Sequence, residues 1–260
     1  MLIALTRAVP PSITRCELTH IERTPIDYAR AVQEHDQYER ALEALGCRVE
    51  RLPDTPNLPD SVFVEDTAIV LDTVAVIARS GAESRRPETA STAEALRPYR
   101  DLLFVEDPAV LDGGDVLRIG RRIYAGLSTR TSKEGIARLR EAAARDGMTV
   151  IGVRVGECLH LKSAVTAIDH QRPAIVVNPE WIDPAIFDGC DIVEVDPGEP
   201  EAANILLIAG TLICAAEFPR TRERLENRGF RTVAVPAGEL AKAEGGVTCG
   251  SIVFEAYRIV

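Results

Sequence analysis

Cys249 lies at the entrance to a strand-like run, GGVTCGSIVF over 245–254, where Gly250 leaves the sulfur uncrowded. Most free cysteines in globular proteins are buried structural thiols, so position alone does not make this one a nucleophile. Periodicity changes the reading. Polar residues stand at the entrances of successive strand pairs, at Glu65-Asp66, Asp112, His160, Asn204 and Cys249, separated by 47, 48, 44 and 45 positions. Five such units account for the 260-residue chain, which is the signature of a closed, propeller-like array. Equivalent positions then face a common axis, where carboxylates, an imidazole, an amide and a thiol converge.

A thiolate is a strong nucleophile, and a nearby histidine can activate it, protonate a leaving group or prime a water. Carboxylates beside it suit a neutral ester or amide poorly, because negative charge disfavours both thiolate and oxyanion. They suit a planar cation well. A guanidinium presents a fork of N–H donors that carboxylates match, and its charge lowers the cost of a thiolate close by. The cluster therefore points to attack on a guanidinium carbon.

The elements that must position these residues alternate in type. A strand over 2–9 precedes a helix over 26–45 that stops at Gly46, a strand over 47–52 and a proline-rich loop over 53–59. Strands over 62–71 and 74–78 then lead to a helix over 87–99. Strand pairs follow at 115–119 with 123–125, at 164–168 with 174–177 and at 205–208 with 212–215. Helices follow these pairs at 133–145, 179–187 and 220–228, with stops at Gly147 and Gly229. A last pair, 251–254 with 257–260, ends the chain.

Composition bounds the function. With 46% hydrophobic and 27% charged residues the chain is an ordinary globular protein for which one domain or two small ones would fit, and the closed array of five units makes a single domain over 1–260 the expectation. Its formal net charge of -10, from 40 acidic and 30 basic residues, disfavours nucleic-acid and anionic-membrane partners. Six scattered cysteines without a C-x-x-C pair fit neither a disulfide framework nor a structural zinc site, and they imply a reducing cytoplasm. The N-terminus reads as a strand and not as a signal peptide, and the longest apolar run, 203–218, is too short to span a bilayer.

Six stretches, PDSVFVEDTA (59–68), GAESRRPE (81–88), LDGGDVL (111–117), GLSTRT (126–131), LHLKS (159–163) and VTCGS (247–251), resemble the dimethylarginine dimethylaminohydrolase family of the guanidino-group-modifying, or pentein, superfamily. The likeness runs from the first strand to the C-terminal motif, and the combination is far more specific than LDGGD alone. It implies a five-bladed α/β propeller of pseudo-symmetric ββαβ units. It also implies hydrolysis of asymmetric dimethylarginine or monomethylarginine to citrulline and the methylated amine, without a metal or organic cofactor, in an enzyme for which a homodimer is reasonable.

By that resemblance Cys249 is the nucleophile, His160 the acid/base and Asp112 a guanidinium ligand beside Asp66, with Glu65 either a direct ligand or a partner behind it. Arg85 and Arg130 hold the substrate's α-carboxylate and Asp60 its α-amino group, while Leu18 and Phe63 shape and cover the pocket. Asp112 stands where bacterial members often carry Glu, and Gly250 where mammalian forms have a second Cys, so the neighbouring-thiol route to zinc or redox control is absent.

Each residue also has a structural explanation. Asp112 suits the Gly113-Gly114 turn, Arg85 could be half of a solvated Arg85-Arg86 pair, Arg130 could flank a helix, and Leu18 could be core. Cys158 with His160 lacks a third metal ligand. The nearest rival function is an arginine deiminase-like enzyme acting on free arginine, which carries extra helical sequence. A non-catalytic binding propeller has no use for this cluster, and a papain-like protease has no use for the carboxylates.

Overall fold

The protein is described by a computed structural model over residues 1–256. Strand β1 (Leu2–Thr6), helix α1 (Tyr28–Ala44) and strand β2 (Cys47–Arg51) open the chain. The second unit comprises β3 (Ala68–Val70), β4 (Val74–Ile77), α2 (Thr89–Leu96) and β5 (Asp101–Phe104). The third comprises β6 (Val116–Ile119), β7 (Arg122–Leu127), α3 (Lys133–Arg145) and β8 (Thr149–Arg154). Helix α4 (Leu161–Ala164) leads into β9 (Val165–Asp169), β10 (Ala174–Val177) and β11 (Asp191–Glu194). Strands β12 (Leu206–Ile208) and β13 (Thr211–Ala215), helix α5 (Pro219–Asn227) and β14 (Arg231–Val235) make the fifth unit, and α6 (Gly238–Ala241) precedes β15 (Ile252–Glu255).

These strands form five three-stranded sheets. In the four continuous units the first two strands are an antiparallel hairpin and the third returns parallel to the second, through a helix in three of them, the ββαβ pattern, and through a 3₁₀ turn between β10 and β11. The remaining sheet joins the chain ends: β15 runs antiparallel to β1, which runs parallel to β2. Of the terminal hairpin expected at 251–254 with 257–260, the first strand is β15, which pairs with β1 among the described residues, and 257–260 lie outside them.

Hydrophobic clusters fill the seams between neighbouring sheets. Ile3 and Ile252 pack with Ala75 and Ile77, Val74 and Val76 with Val116 and Ile123, and Leu117 and Tyr124 with Val165 and Ile175. Ile168 and Val176 then meet Leu212 and Cys214, and Ile208 and Ile213 meet Ala4, which closes the ring. The core is thus distributed around an axis, and polar groups can gather there only where they satisfy one another.

Local chemistry explains the helix limits. Asp27 caps α1 through the Arg30 N–H at 3.1 Å, and Ser132 caps α3 through the Gly135 N–H at 3.1 Å. The predicted stops Gly46, Gly147 and Gly229 have φ of 93°, 62° and 87°, a conformation only glycine adopts cheaply. Two expectations fail for local reasons. Residues 64–67 of the predicted strand over 62–71 form a 3₁₀ turn, and the helix over 179–187 shrinks to one 3₁₀ turn, Pro184–Ile186, capped by Asp183.

One buried charge ties α1 to its sheet. Glu39 accepts from the Thr6 hydroxyl at 2.6 Å and Arg51 Nε at 2.9 Å, and it faces His35 Nε2 at 3.4 Å. Burial would raise its pKa, but the hydrogen bonds from His35, Arg51 and Thr6 and the charge of His35 hold it at about 2. Because this lies below its ordinary 4.5, its stabilisation is present above pH 4.5 and is lost as pH falls towards 2. Glu39→Ala should lower the unfolding free energy by about 2 kcal/mol at pH 7, below the range for fully buried pairs because Arg51 is half exposed. Urea unfolding at pH 7 and pH 3 checks this: an equal loss at both pH values rules out the ionic contribution.

Candidate active site

Each polar entrance belongs to a short turn at the inner end of its unit. Glu65 and Asp66 lie within the 3₁₀ turn Val64–Thr67 before β3, while Asp112 immediately precedes the turn Gly113–Asp115 before β6 and His160 immediately precedes α4 before β9. Asn204 follows the turn Pro200–Ala203 before β12, and Cys249 follows α6 before β15. The sequence interval is therefore a structural one, with tight turns at positions where strands were expected to begin directly.

His160 is the hub. Its Nε2 lies 3.3 Å from Asp112 Oδ2 and its Nδ1 3.9 Å from Asp66 Oδ1. The ligand atoms of these three buried residues all lie within 4.8 Å of one another. Gly114 makes this approach feasible, because a Cβ there would stand 2.6 Å from His160 Nδ1 and 2.7 Å from Asp66 Oδ1; its N–H instead donates to Asp66 at 2.9 Å. Burial would lower the pKa of His160, but the charge of Asp66, the hydrogen bond to Asp112 and the charges of Asp115 and Asp112 raise it to about 9. Burial would likewise raise Asp66, yet the charges of His160 and Arg85 and hydrogen bonds from Arg85 and Gly114 hold it far below the usual carboxylate range. An imidazolium at neutral pH is a proton donor and a poor metal ligand, so this donor set suits an organic cation better than a metal ion.

The thiol stands apart in charge. Cys249 Sγ accepts the Gly246 N–H at 3.4 Å, and the carbonyl of Cys249 receives the Glu65 N–H at 3.1 Å. Burial, followed by the negative charges of Glu65 and Asp66, pushes its pKa up to about 12. Without a cation nearby it is a neutral thiol. Asn204 fixes this segment by accepting the Thr248 N–H at 2.9 Å, and its amide donates to the Lys162 carbonyl at 3.2 Å and the Thr248 hydroxyl at 3.1 Å. Asn204 thus braces the turn that carries Cys249 against the one that follows His160.

Glu65 is a partner behind the cluster. Its carboxylate takes Lys162 Nζ at 2.5 Å and the Thr248 hydroxyl at 2.7 Å, and burial raises its pKa. Arg85 is buried, so it is no solvated surface residue, but its fork is engaged by protein. Nη1 donates to Asp66 Oδ2 at 2.6 Å, Nη2 to Glu88 at 2.9 Å and to the Phe63 carbonyl at 3.0 Å. Arg85 thus holds Asp66 in place through Nη1, while its Nε and Nη2 are engaged by Glu88 and backbone carbonyls. Arg130 is different. Its Nη2 donates to the Thr19 hydroxyl at 3.2 Å, while Nη1 is a buried donor with no partner among the described residues. A buried N–H without an acceptor is costly unless something fills the place.

Asp60 is buried and accepts the Glu17 N–H at 3.2 Å, and burial raises its pKa despite the positive charge of Arg85. Leu18 is half-buried and packs with buried Phe63 and Cys249 in one apolar cluster, on the wall of the site. A Cβ on Gly245 would lie 2.1 Å from the Phe63 ring, so glycine is required where the nucleophile's segment crosses that wall. Four contributors escaped sequence reasoning: Lys162, Thr248, Glu88 and Asp115. Asp115 accepts the Leu161 N–H at 2.9 Å and the Ser128 hydroxyl at 2.6 Å, which anchors the turn bearing His160. All four lie within the quoted stretches LHLKS, VTCGS, GAESRRPE and LDGGDVL, which was the available signal.

Five ββαβ units around an axis carrying a thiol, an imidazolium and paired carboxylates define a propeller of the guanidino-modifying class. Comparison with known proteins narrows the class. The family model described as eukaryotic N,N dimethylarginine dimethylhydrolase matches residues 19–184. An N(G),N(G)-dimethylarginine dimethylaminohydrolase of Streptomyces coelicolor is 41% identical over 96% of this chain and 95% of its own, and one of Pseudomonas aeruginosa is 34% identical over 88% and 90%. The structure of a cysteine-to-serine mutant of the P. aeruginosa enzyme complexed with citrulline superposes with a TM-score of 0.91 at 32% identity, covering 96% of this chain and 98% of that one. A histidine-to-glycine dimethylarginine dimethylaminohydrolase bearing an S-methyl-L-thiocitrulline adduct gives 0.92 at 32% identity, covering 98% and 100%. The chain belongs to the dimethylarginine dimethylaminohydrolase family.

Proposed function

We propose that the chain acts as one catalytic domain that hydrolyses asymmetric N-methylated arginine to citrulline and the methylated amine. The observation that carries this is the convergence of Asp66, Asp112 and a protonated His160 beside a neutral Cys249. Asp66 and Asp112 receive the guanidinium, and Asp60 receives the α-amino group. Arg130, whose Nη1 lacks a partner among the described residues, supplies the donor for the α-carboxylate. Leu18 and Phe63 line the aliphatic stem. A cytoplasmic homodimer belongs to the same reading through the family resemblance and the six free cysteines, and among the described residues no helix is long and apolar enough to cross a membrane.

The chemistry follows from the charges. The bound guanidinium cancels the carboxylate charge that raises the thiol, so Cys249 releases its proton to solvent and attacks the guanidinium carbon. His160 gives its proton to the departing dimethylamine, leaving an S-alkylthiouronium on Cys249. Neutral His160 then takes a proton from water, the hydroxide adds to the same carbon, and collapse expels the thiolate. The remaining hydroxyl proton passes to the expelled thiolate, giving citrulline and a neutral Cys249, while His160 has already regained its imidazolium form from the water proton.

Incubation with asymmetric dimethylarginine and, separately, with arginine tests the assignment. Citrulline and dimethylamine from the methylated substrate are expected, with little turnover of arginine. Ammonia released from arginine at a comparable rate would move the chain to the deiminase branch.

A further inference from the structure

Glu244 lies five residues before the nucleophile and outside the catalytic cluster. Its φ of 58° makes it one of two non-glycine residues with positive φ among the described residues. The position follows α6, where its N–H bonds the Ala241 carbonyl at 3.0 Å, and glycine would adopt this conformation without penalty. The side chain supplies the reason for glutamate. One carboxylate gathers three consecutive backbone donors, the N–H groups of Thr19 at 3.0 Å, of His20, and of Ile21 at 2.9 Å.

That strap is tied to the pocket from its other side. The Glu17 N–H donates to Asp60 and the Ser84 hydroxyl to Glu17 at 2.6 Å, while the Thr19 hydroxyl takes Arg130 Nη2. Leu18 packs on the cluster holding Phe63 and Cys249. On the chain side, Glu244 runs directly into Gly245, pressed on Phe63, and Gly246, whose N–H holds the thiol. We propose that Glu244 is a positioning residue that latches the 17–22 strap across the amino-acid end of the pocket and joins it to the turn carrying Cys249.

The inference rests on the proposed substrate for its kinetic consequence but not for its structural one. Glu244→Gly removes the latch and relieves the backbone, so its unfolding midpoint should not fall below that of the wild type. Amide hydrogen exchange at 19–21 should quicken at least about tenfold in that variant, measured without any substrate. KM for dimethylarginine should rise about tenfold with kcat changed less than about threefold. An N,N-dimethyl-N′-alkylguanidine, which lacks the α-amino and α-carboxylate groups, should lose nothing. Glu244→Gln should quicken exchange at 19–21 less than the glycine variant does, since all three donors reach Oε1, which an amide oxygen can replace, and what is lost is the charge.

Unchanged exchange at 19–21 overturns the latch, and so does an equal loss on the truncated guanidine. Should the wild type turn over neither methylarginine nor arginine, the substrate assignment fails by itself and the exchange measurement still decides the latch.

Discussion

Cys249→Ser abolishes turnover of dimethylarginine, by on the order of 10⁴-fold or more, with the fold retained. The thiol already stands at about 12 in the unliganded protein because it is buried beside Glu65 and Asp66. A cationic substrate can bring it within reach of ionisation; a serine hydroxyl starts several units higher and stays protonated. The fold has little to lose. Sγ accepts a single long hydrogen bond from Gly246, which a hydroxyl can also accept, and the substitution nearly preserves volume, so stability should change by about 1 kcal/mol or less. Rapid quenching followed by intact-mass measurement gives a second readout: the wild type should carry the mass of the thiouronium adduct and the serine variant should not. A serine variant within tenfold of the wild-type rate would remove Cys249 from the nucleophile's role.

The thiol was legible in the sequence because it shares an interval with other polar residues, each interrupting an apolar run. The interval survives in the structure even though its local meaning differs. Glu65 and Asp66 were placed at a strand end, but Val62, Phe63 and Val64 are apolar because that turn packs into the core, so an apolar run mimicked a strand. Helix α3 matches its predicted limits because a cap, a period and a glycine stop coincide at Ser132, along 133–145 and at Gly147. The returning strands β5, β8, β11 and β14 left weaker signals. Asp101–Phe104 and Asp191–Glu194 are four residues each, flanked by exposed ends on sheet edges, and offer little alternation. The interval implied a closed array, but the strand pairing that closes it was the least visible feature, since β15 with β1 joins opposite ends of the chain and no local pattern records it.

The same distinction governs the site. Residue identities at Asp66, Asp112, His160 and Cys249 announce their chemistry through motif and interval. Employment depends on distant partners. Arg85 becomes the support of Asp66 because Glu88 and two backbone carbonyls surround the rest of its fork, and Glu65 turns to Lys162, 97 positions away. Those contacts are products of ring closure, which brings successive turns together at the axis. Arg130 keeps Nη1 as a buried donor without a partner among the described residues for the converse reason, that the strap's Thr19 hydroxyl takes Nη2 alone.

His160 gives the second large effect, and its sign follows from counting protons. At neutral pH the unliganded pair holds two, one on an imidazole with pKa about 9 and one on a thiol with pKa about 12. The transition state for attack needs thiolate and imidazolium, one proton in all. One proton must therefore be shed on going from free enzyme to transition state, and kcat/KM should rise about tenfold per pH unit through neutrality before levelling near 9. A preformed thiolate predicts instead a flat profile between about pH 7 and 8, which would end this account. His160→Asn removes the proton donor, and kcat for dimethylarginine should fall roughly 10²- to 10⁴-fold. S-methyl-L-thiocitrulline, whose sulfur leaving group departs without a proton, should still form the covalent adduct on Cys249 in the same variant at a rate reduced far less, although hydrolysis of that adduct also needs His160. Equal losses in the rate of adduct formation from both substrates would mean that His160 does not protonate the amine but serves only to hold Asp112 and Asp66 in register.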